Sequence, residues 1–208
     1  MKAAPPKATF AICGVTLLSF ALLSATDRFA DAAVLGGFIP ARLSGLAVPY
    51  ALPVWLTPLS ATLLHGGLLH LGFNLLMLYF CGRDDEVALG RPGVVLLYVL
   101  GAYGAAAAHY AVGPHSTSPM VGASGAISAL VGAYAILYGQ RRPSKFSPEV
   151  ARWLHIARLA AAWIAVQLML GLVSRTQGLA IAWAAHVGGF LVGLIIARPL
   201  LRWRYRKA

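Results

Sequence analysis

Acid is scarce in this chain. Asp and Glu number six in 208 residues, and none falls inside a long apolar run. Charged residues of both signs make up 11%, against about 25% in soluble domains, which excludes an ordinary water-soluble globule. The two cysteines, Cys13 and Cys81, form no CxxC pair and no Cys/His metal spacing. Neither a structural disulfide, a bound metal nor another cofactor is expected. Period-2 alternation bounded by turns is missing, so a transmembrane β-barrel is not expected either. No basic patch interleaved with aromatics appears, so the net charge of +11 does not point to nucleic acid.

What is present is apolar: 59% hydrophobic residues and a mean hydropathy of +0.74. A membrane span needs about 20 such residues. Six segments qualify, at about 8–26, 59–81, 93–112, 123–139, 155–173 and 179–197. Each lacks Asp, Glu and Lys, and only Arg158 interrupts them, near the start of the fifth. The expected fold is all-α: a polytopic bundle of six transmembrane helices in one domain over residues 1–208. The N-terminal run is read as a retained span and not a cleaved signal, because it is long for one. Fourteen of the seventeen Lys and Arg fall on the side that holds both ends of the chain. The positive-inside rule then places both termini in the cytoplasm, in the cell (inner) membrane. The basic, aromatic tail 202–207 reads as an anchor near anionic lipid. Segment 27–58, on the outer side, is rich in Pro and Gly yet still apolar, and is read as an interfacial loop with Trp55 at headgroup level.

Polar groups inside these spans are few and costly. Ser124 opens the fourth span within Gly122-Ala123-Ser124-Gly125. His186 lies about 10 Å down the sixth, at 1.5 Å per residue. His65, His70 and Asn74 lie six to fifteen residues into the second, with His70 and Asn74 on one helix face. All five fall in the outer half of the bundle. Each has a structural reading: Ser124 bonding its own helix, and the histidines and Asn74 stapling helices together. Jointly they fit hydrolysis. A serine needs a base within hydrogen-bond reach, and neutral imidazole serves near physiological pH. The Asn74 amide, a ring N–H of His70 and the Ser124 backbone N–H are candidate oxyanion donors. Gly122 and Gly125 would allow close backbone approach and unusual dihedrals at the helix start. No Asp or Glu lies at this depth, so a Ser-His dyad is favoured over a triad. Gly189-x-x-x-Gly193 offers a small-residue face that would let the sixth span approach the fourth.

Together these motifs resemble the rhomboid family of intramembrane serine proteases. His70-Leu71-Gly72-Phe73-Asn74 is similar to its HxxxN, with His65 ahead of it. Gly122-Ala123-Ser124-Gly125 resembles GxSG, and Ala185-His186-Val187-Gly188-Gly189 through Gly193 resembles AHxxGxxxG. Glu86-Val87-Ala88-Leu89-Gly90 resembles the family's ExxxG turn. The resemblance implies Ser124 as nucleophile, His186 as general base, and His70, Asn74 and the Ser124 amide as the oxyanion hole. It also implies single-span membrane proteins as substrates, cut near the outer surface after lateral entry beside the fifth helix. There are two departures. Many members place an aromatic residue one turn after the nucleophile, where this chain has Ser128, which leaves open what orients His186. Many carry Trp-Arg in the first loop, where Trp55 is followed by Leu56. The alternatives are a rhomboid-like pseudoprotease that binds membrane clients without cleavage, and a small transporter. Against the first, Ser124 and His186 are both kept. Against the second, the spans hold no acid for ion coupling and the chain shows no repeat. Oligomeric state is not legible.

Overall fold

The computed structural model describes residues 5–138, 147–175 and 183–206, without the side chains of 166–175. Lys2, Arg141, Arg142, Lys145 and Lys207, counted above for orientation, lie outside the described residues, as do 139 and 179–182 of the expected spans.

Seven α-helices are described: α1 (Lys7–Ala25), α2 (Phe29–Gly36), α3 (Thr57–Ser60), α4 (Leu68–Val112), α5 (Ser124–Leu137), α6 (Pro148–Arg175) and α7 (Trp183–Arg204). By length and composition α1, α4 and α7 can each cross a membrane. Side chains such as Phe10, Leu18 and Leu22 of α1 and Leu191 and Ile195 of α7 are exposed, as suits a lipid-facing surface.

The second and third expected spans and the loop between them are one element. α4 runs 45 residues and bends back at Gly90 (φ 75°, ψ 168°). Only glycine takes that conformation without strain, and Pro92 sits in the first turn beyond it, where a proline is tolerated. Arg83, Glu86, Ala88 and Leu89 are good helix formers, and the chain stays helical until Gly90 stops it. The reversal is plain from the far ends. His70 in the first arm packs at Gly122, and Ala105 in the second packs at Gly125.

The second expected span also starts later. Residues 57–63 form α3 and a 3-10 turn, and the chain extends through Gly67 before α4 begins at Leu68. His65 therefore lies in the approach to the helix and not on it, although it is buried. Segment 27–58 is more than a surface loop. Phe38, Ile39 and Ala41 are buried, and Phe38 exchanges backbone hydrogen bonds with Met120 at 3.0 and 2.8 Å. Trp55 stays exposed at 65%.

α5 is the axis of the molecule. Every residue from Ser124 to Ala133 is buried, packed between α7 and α4. Its small residues permit this. Cβ atoms at Gly189 and Gly193 would collide with the Gly125 and Ala129 carbonyls, and one at Gly132 with the Phe190 carbonyl. The Gly189/Gly193 face thus seats α7 directly on the backbone of α5. At 14 residues, α5 is about 21 Å long, shorter than a hydrocarbon core of about 30 Å.

The end of the bundle remote from Ser124 is tied by Glu86. Its carboxylate accepts from the Ala8 and Thr9 amides at 3.0 and 2.8 Å and from the Thr9 hydroxyl at 2.8 Å. It therefore satisfies free amides in the first turn of α1, where negative charge is favoured. Arg204 at the end of α7 donates to the Val87 carbonyl, and the Tyr138 hydroxyl after α5 donates to Asp84 O at 2.6 Å. The end of α7 is thus fastened to the α4 bend. Cys13 and Cys81 are free. Replacing Glu86 with Ala should destabilise the fold by about 1–3 kcal/mol, read as a lower unfolding midpoint in detergent, with Glu86→Gln intermediate.

Candidate active site

α5 and α7 each bring one polar group to their contact. Ser124 is the first residue of α5 and His186 lies in the first turn of α7. Both are buried, at 9% and 8% exposure. Ser124 Oγ and His186 Nε2 are 2.8 Å apart. The hydroxyl can donate to Nε2 when the imidazole proton is on Nδ1. Two residues 62 positions apart thus meet at hydrogen-bond distance, and Gly189 sets that spacing by removing the side chain that would hold the helices apart.

The turn before Ser124 is held from three sides. Met120 is bridged to Phe38. The Gly122 amide donates to Ala61 O at 2.8 Å, and the Ala123 amide to His65 Nε2 at 3.4 Å. Gly122 has φ 110°, and a Cβ there would stand 2.6 Å from His70 Nε2. Its glycine is required twice, by the backbone and by the histidine ring above it. Gly125 has a different task from the expected one. It is helical, and its missing Cβ makes room for Ala105 of α4. Its contribution is helix packing, not an unusual dihedral.

The expected donors lie at the same end. Ser124 begins the helix, so its backbone N–H has no intrahelical acceptor. The His70 ring packs at Gly122 and lies 4.9 Å from that of His65, centroid to centroid. Asn74 is buried, and its Nδ2 donates to the His70 carbonyl at 2.7 Å. That bond uses one of two amide hydrogens, so one donor remains. Among the described residues no group of three or more His, Cys, Asp or Glu side chains could hold a metal ion.

Sequence reasoning missed Trp163, and it named Ser128 without the bonds that residue makes here. Ser128 Oγ donates to the Ser124 carbonyl at 2.7 Å and accepts from Trp163 Nε1 of α6, also at 2.7 Å. The Trp163 ring stands edge-on to His186, with centroids 6.4 Å apart and planes at 73°. The available hint was a tryptophan in the middle of the fifth apolar segment, away from the ends where such residues usually anchor.

The Rhomboid domain profile matches residues 53–203. The chain belongs to the rhomboid family. It is 32% identical over 161 residues to a protein named Rhomboid protease GlpG from Yersinia pestis (strain Pestoides F), covering 76% of this chain and 53% of that relative. It is 34% identical over 138 residues to Rhomboid protease GlpG from Pectobacterium atrosepticum, covering 66% and 46%. This rhomboid therefore spans about half the length of the curated relatives it matches. The matched region holds every polar group of the candidate site.

Gly122→Ala should strain the turn and displace His70. The left-handed backbone alone costs about 1–2 kcal/mol. The expected readout is a lower unfolding midpoint in detergent. An unchanged midpoint would mean the turn does not depend on this glycine.

Proposed function

We propose that this rhomboid is an intramembrane serine endopeptidase with a Ser124–His186 dyad. The observation that carries the reading is the 2.8 Å approach of Ser124 Oγ to His186 Nε2 inside an apolar bundle. Ser124 Oγ attacks the carbonyl carbon of a peptide bond while its proton passes to Nε2. The tetrahedral oxyanion accepts from the Ser124 backbone N–H, a His70 ring N–H and the remaining Asn74 amide hydrogen. His186 then protonates the departing amine, and water, deprotonated by His186, releases the acyl group from Ser124.

We assign six crossings to one domain: α1, the two arms of α4, α5, α6 and α7. The start of α1, the α4 bend and the ends of α5 and α7 share one pole, joined through Asp84, Glu86, Val87 and Arg204. Arg83, Arg91, Arg202 and Arg206 lie in the same parts of the chain. The positive-inside rule makes that pole cytoplasmic, with both termini there. The dyad is then at the outer pole of an inner-membrane protein. Because α5 is shorter than the hydrocarbon core, its outer end starts below the surface. Substrates at that depth would be single-span membrane proteins whose helices unwind near the outer face, since a helical peptide bond is shielded from attack.

The full chain, purified in detergent or reconstituted in vesicles, should cleave a single-span model substrate without added metal or nucleotide. Ser124→Ala and His186→Ala should each lower turnover by more than about 10³-fold. Cleavage that survives Ser124→Ala would remove the assignment. Asn74→Ala should reduce kcat by roughly 10²–10³-fold, the range typical of one oxyanion donor, with KM little changed. A rise in KM alone would make Asn74 a structural staple.

A further inference from the structure

We propose that Trp163 is a positioning residue for His186, anchored through Ser128, so that α6 supplies the aromatic wall beside the base. The inference rests on the protease reading and adds to it a residue outside the family motifs.

His186 has little else to fix its ring. Among the described residues its recorded polar partner is Ser124 Oγ, and no carboxylate pairs with it. The last side-chain torsion of histidine is broad and softly defined, so an imidazole held by one hydrogen bond can swing about it. A flat group packed against it removes that freedom. Trp163 is so placed, in the edge-to-face arrangement that aromatic pairs prefer.

The tryptophan is itself held. It is 5% exposed, whereas its neighbours Ala161, Ala162, Ile164 and Ala165 on α6 are exposed. With Ile156, seven residues earlier and also buried, it marks the face of α6 turned to the bundle. A buried indole N–H needs an acceptor, and Ser128 Oγ provides it at 2.7 Å. The same hydroxyl donates to the carbonyl of Ser124. One chain of hydrogen bonds thus runs from α6 through Ser128 to the backbone of the proposed nucleophile, while the ring reaches the base. Ser128 is completely buried, and its small size leaves the space the indole fills. An aromatic side chain at 128 and Trp163 could not both occupy it. The ring that many rhomboids place one turn after the nucleophile has here moved to another helix.

It follows that the seating of α6 is felt at the dyad. Drawing α6 away from α5 would remove both the wall beside His186 and the bond to Ser128.

The test is steady-state cleavage by the full chain in vesicles, with unfolding midpoints measured alongside. Trp163→Ala should lower kcat by about tenfold to a hundredfold, the scale of a modest misalignment of reacting groups, with KM within about twofold. Transferring the ring, Trp163→Ala with Ser128→Tyr, should recover most of that loss. Trp163→Phe and Ser128→Ala remove the same hydrogen bond with less change in bulk. Their losses should therefore overlap in the double variant and not add. This pair carries the test where Trp163→Ala does not fold. Wild-type kcat in Trp163→Ala, or additive losses in the pair, would overturn the role of Trp163 while leaving Ser124-dependent cleavage in place. Cleavage that persists in Ser124→Ala would overturn the protease reading itself.

Discussion

The backbone-to-backbone approach of α5 and α7 is the contact on which the rest of the structure depends. Gly125 and Ala129 present carbonyls to Gly189 and Gly193, and Gly132 faces the Phe190 carbonyl. Between apolar helices in lipid there is little hydrophobic drive to associate, and close van der Waals packing takes its place. Larger residues at 189 or 193 would force the helices apart. The proposed dyad tolerates no such change, because a hydroxyl and an imidazole on separate helices stay at 2.8 Å only while the helix axes do. The small-residue face thus serves the proposed chemistry as much as the fold.

The two poles of the bundle do different work. At one, Glu86, Arg204, Asp84 and Tyr138 satisfy free helix-end groups and join α1, α4, α5 and α7. At the other, backbone pairing at Met120 and Gly122 and the His65 ring suspend the turn that leads into Ser124. Gly122 leaves room there for His70. The free amides at the start of α5 are left uncapped by any side chain, which suits an oxyanion site and would be a defect elsewhere. α6 stands to the side, touching α5 more than α7, and reaches inward through Trp163.

Much of this was legible in the sequence because membrane folds expose their logic in composition. Acid-free apolar runs marked the apolar helices, and the cost of placing Ser124, His186, His70 and Asn74 in such runs marked the candidate site. The small residues of the last helix pointed to its contact with α5. Other features were hidden for identifiable reasons. The charged stretch 82–92 looked like a loop, but Arg83, Glu86, Ala88 and Leu89 favour helix, and only the φ of Gly90 ends the first arm. His65 fell within an apolar run although the chain there is extended at Gly67. Gly125 resembled a conformational glycine and proved to be a packing one, because its neighbour Ala105 is distant in sequence. The partnership of Ser128 with Trp163 joins two helices with no local pattern to relate them.

The most direct test of the central claim is mapping by mass spectrometry of the adduct formed when the full chain in detergent reacts with a fluorophosphonate. Such a reagent traps a serine whose hydroxyl is activated by a neighbouring base. The proposed dyad predicts a single adduct on Ser124 that is lost in His186→Ala. An adduct on another serine, or labelling of Ser124 that is indifferent to His186, would contradict it.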